Sequence, residues 1–360
     1  MHLLSNDEAD APDALYGTVK LALSACELHG GISVSLLAAN VLIALYEFGQ
    51  GLFPAAYFST AHCCRMVYAM GLHDRKTATQ LAPKPDTWTE SEEQRRLWWA
   101  VLMLDRYIHV GFRFRPLAAE SIAANELLPG TDADWDQGEL SVNPLLVMSI
   151  EAATRVSPFA RACQAAHLLG KACRHANDHA TIVEVEFHFQ EAQQLIHALR
   201  ALMTMISNEA LVIEKSHTLF AARGLCYSAL LLLYDLHSCV EVDHVEAVGS
   251  NTGLRLQVQQ FAIDAFKVLI ADIVGFAKQL REHVASRGME SVPPFVLQCL
   301  YSSAATYAWY FRETGKEDHL SCLAQLRVIL GQLQCRWPVA REYLELLKGT
   351  ETVYDGANFQ

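Results

Sequence analysis

The sequence has 360 residues, of which 52% are hydrophobic and 19% are charged, and its net charge at pH 7 is -12. This hydrophobic share disfavours long disordered regions, since such regions cannot bury enough apolar surface to fold. The acidic charge disfavours direct binding of the bulk surface to DNA phosphates or to anionic membranes. No charged start followed by an apolar run opens the chain, so we expect an intracellular setting in which the ten cysteines are mostly buried thiols.

Apolar residues at helical spacing predict an all-α protein, an array of antiparallel helices in one large domain over residues 1–360. The predicted helices span 13–29, 33–48, 54–71, 90–109, 144–176, 182–206, 210–238, 252–284, 293–314, 319–332 and 336–348. Pro54 suits the first turn of the third helix. Either Thr89 with Glu92 or Ser91 with Gln94 is the expected capping box of the fourth helix.

Five other segments need separate interpretation. Residues 110–143, with Asp132, Asp134 and Asp136, are predicted to be irregular, as is the proline-containing segment 73–89. Residues 183–189 alternate like a strand, but no turn follows and helical spacing continues, so a helix is predicted. The apolar segments 30–46 and 225–236 are too short to span a membrane and are predicted to be buried helices.

Three chemical sites were weighed against plain structural roles. A run of potential zinc ligands has helical spacing, but a solvated helix face explains it better; the run consists of Cys163, His167, Cys173, His175 and His179. Asn177 to Thr181 begins the magnesium motif of terpene cyclases, but Val185 stands where the carboxylate is required. A catalytic cysteine–histidine pair has no local signature here. We therefore expect no enzyme activity, no catalytic residue, no cofactor and no metal ligand in this chain.

Two segments carry a more specific pattern. The first reads AHCCRMVYAMGLH over residues 61–73, and the second reads EEQRRLWWAVLMLDRY over residues 92–107, followed by Arg115-Pro116-Leu117. Together they resemble the regulatory middle homology domain of fungal zinc-cluster transcription factors. Arg336-Trp337-Pro338 is similar to the last helix of that family, so the resemblance spans about residues 30–348. The residues that it singles out are Arg65, Gly71, Leu72, His73, Arg95, Arg96, Trp98, Trp99, Asp105, Arg106, Arg115, Pro116 and Trp337.

The sequence departs from the family pattern in three places. Met70 replaces a leucine, and Phe114 replaces the glycine of the Gly-Arg-Pro turn. The six-cysteine cluster that precedes this domain in the family, and that binds two zinc ions, does not precede the match. We therefore expect zinc only in a full-length family member, with this chain either a truncated product or a protein that works without its own DNA reader.

The second motif also predicts its own packing. Leu97, Val101, Leu104 and Ile108 form one apolar stripe, which the two tryptophans widen, so this helix is expected at the centre of the core. Asp105 lies beside that stripe and needs a cationic partner, for which Arg96 or Arg115 is predicted. Glu92 and Arg96, four residues apart, are expected to form a helix-surface ion pair.

The resemblance implies a nuclear transcription regulator, serving a metabolic or secondary-metabolite gene cluster. A small-molecule effector, a homodimer or a heterodimer with a DNA-binding partner would fit it, and no membrane is involved. The alternative is a partner-dependent cofactor without DNA contact of its own. A more remote alternative is an all-helical, metal-dependent lyase or cyclase.

Overall fold

The computed structural model describes residues 11–74, 78, 81, 84–111, 115–122, 126–146, 156–178, 185–238 and 252–355. Within these ranges the chain forms twelve α-helices, and the all-α prediction is confirmed. They are α1 (Ala11–Leu28), α2 (Val34–Gly49), α3 (Phe53–Met70), α4 (Trp88–Ile108), α5 (Asp132–Gln137), α6 (Pro158–Asn177), α7 (Val185–Val212), α8 (Phe220–Ser238), α9 (Thr252–Arg287), α10 (Leu297–Thr314), α11 (Glu317–Leu333) and α12 (Val339–Asp355).

Local sequence explains where the first helices begin. The Ser33 hydroxyl caps α2 by accepting the backbone N–H of Leu36 at 3.1 Å, and Pro54 lies in the first turn of α3 as predicted. The capping prediction for α4 is wrong by a few residues. Thr87 has extended backbone angles and accepts the N–H of Glu90 at 3.1 Å, so α4 begins before the predicted Thr89.

The described residues divide into two compact units, whereas the prediction of one regulatory domain over 1–360 stays a prediction. The first unit contains 1–109, 117–167 and 335–339. In it α1 packs on α2, and α2, α3 and α4 pack on one another. Leu37, Val67 and Trp99 have no exposed surface, which places the core of this unit between these helices.

The second unit contains 110–116, 168–334 and 340–360, with α8 at its centre. This helix packs against α7, α9 and α10, and its residues Leu225–Tyr234 are all buried. By length and composition the helical stretch Ser216–Ser238 would suffice to cross a membrane, but 78% of the apolar window is buried inside the protein. The prediction of a buried core helix for 225–236 is therefore confirmed.

Three boundaries differ from the sequence predictions. The predicted irregular segment contains α5, which Thr131 caps at its start and Gly138 ends. The start of the helix predicted over 144–176 is wrong, because residues 144–146 instead pair with residues 126–128 around an isolated bridge between Leu127 and Leu145. Within this range the described helix is α6, which begins at Pro158. The helix predicted over 210–238 is two: α7 runs to Val212, and α8 follows a short 3-10 helix. The predictions that concern Phe114, His179 and residues 183–184 lie outside the described residues.

Candidate functional site

The motif helix α4 lies at the centre of the first unit, as predicted. Trp99 has no exposed surface and Trp98 is 4% exposed. Tyr68, which belongs to the first motif, packs against the second. Its ring centroid lies 6.2 Å from that of Trp98 and 4.5 Å from that of His73. Gly71 ends α3 at a φ of 71°, a left-handed conformation that costs glycine little and that turns the chain toward His73.

Glu92, at the start of α4, is a fully buried carboxylate with every acceptor position in use. It accepts from Arg95 Nη1 at 2.6 Å, from Arg96 Nε at 3.0 Å, from the backbone N–H of Gly130 at 2.8 Å and from Asn143 Nδ2 at 2.8 Å. The predicted ion pair with Arg96 forms, but its surface location is wrong, because the Glu92 side chain has no exposed surface. Burial makes this carboxylate dependent on its partners, since an uncompensated buried charge is costly.

Arg96 joins Glu92 to the acidic segment that follows. Its Nη1 donates to Asp132 Oδ1 at 3.0 Å, and its Nη2 donates to the Gly130 carbonyl at 3.1 Å. Its guanidinium carbon lies 5.0 Å from the centroid of the Trp135 ring, which adds a cation–π contact. Asp132 was predicted to be a loop acid in solvent, but it begins α5 and serves as the counter-charge of Arg96.

Asp105, near the end of α4, has a different partner from the one predicted. Its carboxylate contacts the guanidinium of Arg106 and accepts the backbone N–H groups of Ala118 at 3.0 Å and Ala119 at 3.2 Å. Arg96 was one predicted partner, but it bonds to Glu92 and Asp132 instead. The contact predicted between Asp105 and Arg115 stays a prediction. Arg106 also donates to the carbonyl oxygens of Ala119 at 2.8 Å and Glu120 at 2.6 Å.

One face of α4 holds residues 119 and 120 and residues 127 and 130 through their backbone atoms. Glu92 accepts from the N–H of Gly130, Trp99 Nε1 donates to the Leu127 carbonyl at 3.0 Å, and Arg106 bonds residues 119 and 120. These three α4 residues are seven positions apart, about two helical turns, and therefore share a face. We call Glu92, Trp99 and Arg106 the anchoring stripe.

The remaining residues of the resemblance lie apart from the anchoring stripe. Leu72 is 3% exposed and packs in the core. Trp337 is 4% exposed, and its ring lies so close to Gly49 that a Cβ there would come within 2.6 Å of Cε3. Arg65, Arg115 and Pro116 are exposed. The Arg115 carbonyl accepts from Asn177 Nδ2 at 3.0 Å.

The run of potential zinc ligands does not form the solvated helix face that was expected, because Cys163, Cys173 and His175 are buried. In the described part of the chain, the group able to hold a metal ion is His175, His188 and His237, which shares only His175 with that run. Cys163 lies in the other unit, where burial raises the pKa of its thiol well above the ordinary value. A raised pKa keeps a thiol protonated and unreactive.

Several residues of the site were missed from the sequence. Asn143, Asp132 and Leu127 contact α4 from the segment that was predicted to be irregular. The available signal was the spacing of Glu92, Trp99 and Arg106, three hydrogen-bonding side chains on one face of a largely apolar helix. The start and end of α5 were also readable, because Thr131 and Gly138 are typical caps.

Comparisons with known proteins agree with the motifs. Residues 6–172 match the fungal specific transcription factor domain. The transcription factor BOA15 of Botryotinia fuckeliana (strain B05.10) is 34% identical over 90 residues, 25% of this chain and 50% of that protein. The pigment biosynthesis transcriptional activator pigB of Monascus ruber is 29% identical over 136 residues, 35% of this chain and 24% of the relative. The citrinin biosynthesis transcriptional activator mrl3 of Monascus ruber is 26% identical over 186 residues, 49% of this chain and 36% of the relative.

The matched region covers the first helices of the fold and only part of the length of each relative. The chain spans half the length of BOA15 and a smaller share of the other two relatives. No solved structure matches the chain significantly. The matched residues include α1 to α5, both motifs and the whole anchoring stripe. Over residues 6–172 the chain is therefore similar to the fungal specific transcription factor domain.

Proposed function

We propose that this chain is the regulatory part of a transcription factor that controls a secondary-metabolite biosynthetic gene cluster. The match over residues 6–172 is the observation that carries the proposal. Relatives that are named activators of pigment and citrinin biosynthesis support the kind of target. In this proposal the protein works in the nucleus and catalyses no reaction.

The anchoring stripe supplies a physical basis for regulation. Buried charged side chains at both ends of α4 bond to the backbone of residues 119 and 130, and in this proposal these residues would move together with α4. A partner or effector that binds one packing of these helices more tightly shifts the population toward that packing. In the proposed function this shift alters how a DNA-binding region or a coregulator is presented.

A partner-dependent cofactor is the second candidate, and the charge of the chain favours it. The net charge of -12 and the isoelectric point near 5.6 oppose attraction to a phosphate backbone. DNA contact would then come from another segment or from a dimer partner. Co-purification with a DNA-binding protein, combined with no promoter binding by the isolated chain, would support the cofactor role over direct DNA binding.

A small-molecule effector has a candidate cavity in the second unit. This cavity of about 710 Å³ lies between α7, α8 and α9 and is lined by Arg200, Arg223, Tyr227 and Asp272, among others. Two guanidinium groups favour an anionic ligand such as a carboxylate. Within the proposed function, this cavity is where a metabolite would act.

A tethering experiment tests the proposed function. The whole chain is fused to an unrelated DNA-binding domain and expressed with a matching reporter gene in a fungal host. We expect reporter output to differ from that of the DNA-binding domain alone. Arg96→Met should abolish the difference, whereas Lys171→Met, which changes an exposed residue of α6, should keep it. Equal output from the fusion and the DNA-binding domain alone, at equal protein levels, would refute the proposal.

A further inference from the structure

Three histidines from three helices of the second unit meet at one place. His175 lies near the end of α6, His188 in the first turns of α7, and His237 near the end of α8. One nitrogen from each ring lies within 4.8 Å of the nitrogens of the other two. Imidazole nitrogens are preferred ligands of zinc and of related divalent transition metals. The cluster lies outside residues 6–172 and outside both motifs.

The two closest nitrogens already have the spacing of metal ligands. His175 Nε2 and His237 Nε2 are 3.3 Å apart. Two nitrogens bound to tetrahedral zinc at about 2.0–2.1 Å are separated by about 3.3–3.4 Å. A direct hydrogen bond donated by the His237 ring to His175 Nε2 is the competing explanation of the same contact. Metal titration separates the two explanations.

A carboxylate orients the most buried ring. His175 Nδ1 lies 2.9 Å from Glu191 Oε2, and the His175 side chain has no exposed surface. If Nδ1–H donates to Glu191, the neutral ring presents the lone pair of Nε2 toward His237. Zinc-binding histidines usually have such a carboxylate or carbonyl partner on the second nitrogen. The contact with Glu191 therefore supports the role of His175 as a metal ligand.

The third ring is held against the first. The His188 ring stacks on His175 with a centroid distance of 3.8 Å, and His188 Nε2 lies 3.1 Å from the backbone carbonyl oxygen of His175. The His237 ring lies 5.5 Å from His175 and 5.8 Å from His188, centroid to centroid, so the three rings form one cluster.

We infer that His175, His188 and His237 form a binding site for a divalent transition-metal ion of the zinc class, with Glu191 positioning His175. This inference replaces the expectation that the chain contains no metal ligand, and it does not depend on the proposed function. Three protein ligands leave one position for water or a small ligand in a tetrahedral site. The bound ion would join α6, α7 and α8 and so stabilise the second unit.

Metal titration of the purified full chain tests this inference. After removal of any polyhistidine tag and treatment with a chelator, zinc is titrated by calorimetry, and cobalt binding is followed by visible absorption. We expect one equivalent to bind. His188→Ala and His237→Ala should weaken binding at least about tenfold, and Glu191→Gln about 10- to 100-fold. His197→Ala, an exposed histidine on the same helix as His188, is the matched control and should bind like the parent.

Two results would overturn the inference. The first is a parent chain that binds no stoichiometric zinc. The second is binding that is equal in the parent, His188→Ala and His237→Ala, which would assign the ion to exposed thiols such as Cys26 and Cys335. Circular dichroism of each variant confirms that it has kept its helices, and since His188 is only partly buried, its variant is expected to fold.

Discussion

The Asp105 carboxylate contacts the guanidinium of Arg106, its neighbour in the chain, and the two side chains are only 1% and 2% exposed. Neighbouring residues on a helix point about 100° apart, so this contact requires both side chains to bend toward the segment 118–120. That segment supplies two N–H donors to Asp105 and two carbonyl acceptors to Arg106. Backbone atoms of residues 118–120 therefore satisfy the hydrogen-bonding groups that the Asp105–Arg106 contact leaves open.

The first prediction concerns Asp105. Asp105→Asn leaves Arg106 as an uncompensated buried charge and places an amide N–H group near the N–H donors of residues 118 and 119. We expect the free energy of unfolding to fall by about 3–5 kcal/mol. Denaturant titration followed by circular dichroism measures the change. Asp136→Asn, an exposed residue of α5, is the control, and equal stability of the two variants would contradict the prediction.

The second prediction concerns Glu92. Glu92→Gln removes the charge that compensates Arg95 and Arg96 and turns one acceptor into a donor that faces other donors. We expect a loss of about 3–5 kcal/mol in stability. Glu93→Gln changes the next residue in the same way outside this network and should cost less than about 1 kcal/mol. Thermal melts of both variants measure these losses of stability. A Glu92→Gln melt that matches the parent would show that the fold does not need the carboxylate charge.

The third prediction compares two glycines. In Gly49→Ala the new methyl group would lie 2.6 Å from Trp337 Cε3, so the ring must move, at a cost of about 1–3 kcal/mol. In Gly17→Ala, inside α1, no atom lies within 4 Å of the new methyl group, so higher helix propensity should stabilise the protein by about 0.5–1 kcal/mol. Opposite shifts in melting temperature are expected. A stabilised Gly49→Ala variant would argue against the contact with Trp337.

The fourth prediction concerns thiol reactivity and pH. Burial raises the pKa of Cys63 to about 12, with a further contribution from Glu47, and burial raises that of Cys299 to about 12. Both thiols therefore stay protonated up to at least pH 9, whereas Cys26 and Cys335 are exposed. Maleimide labelling of the native protein, read by mass spectrometry at pH 7 and pH 9, should modify the exposed pair first. Labelling of Cys63 at the rate of Cys26 would contradict this assignment.

The helices of the first unit were predictable because their signals are local. The apolar stripe through Val101 and Leu104 was sufficient to predict that α4 is buried, and Pro54 marked the start of α3. The cap of α4 was misplaced because Thr87, Thr89 and Ser91 all lie near the start of the helix. Only the extended backbone angles at Thr87 select one of them.

The partners within the site were not predictable from spacing along the chain. Arg96 and Arg115 were the predicted partners of Asp105, whereas Arg106 is the arginine that contacts it, because both side chains bond to the backbone of residues 118–120. The histidine cluster shows the same difficulty, since His175 and His237 are 62 positions apart and lie on different helices. A helical pattern determines which residues share a face of one helix, but it contains no information about which other helix faces them.

The anchoring stripe also affects how sequences of this kind can diverge. Its three side chains bond to main-chain atoms of the segment 118–131, and almost any amino acid supplies such atoms. Gly130 is an exception, because a Cβ there would lie 2.2 Å from the Ser141 hydroxyl oxygen. Substitutions can thus accumulate along most of that segment without loss of its anchors, provided that its length is kept. Glu92, Trp99 and Arg106 make these bonds with their own side chains, so we expect fewer substitutions to be tolerated at these three positions than in the residues that they hold.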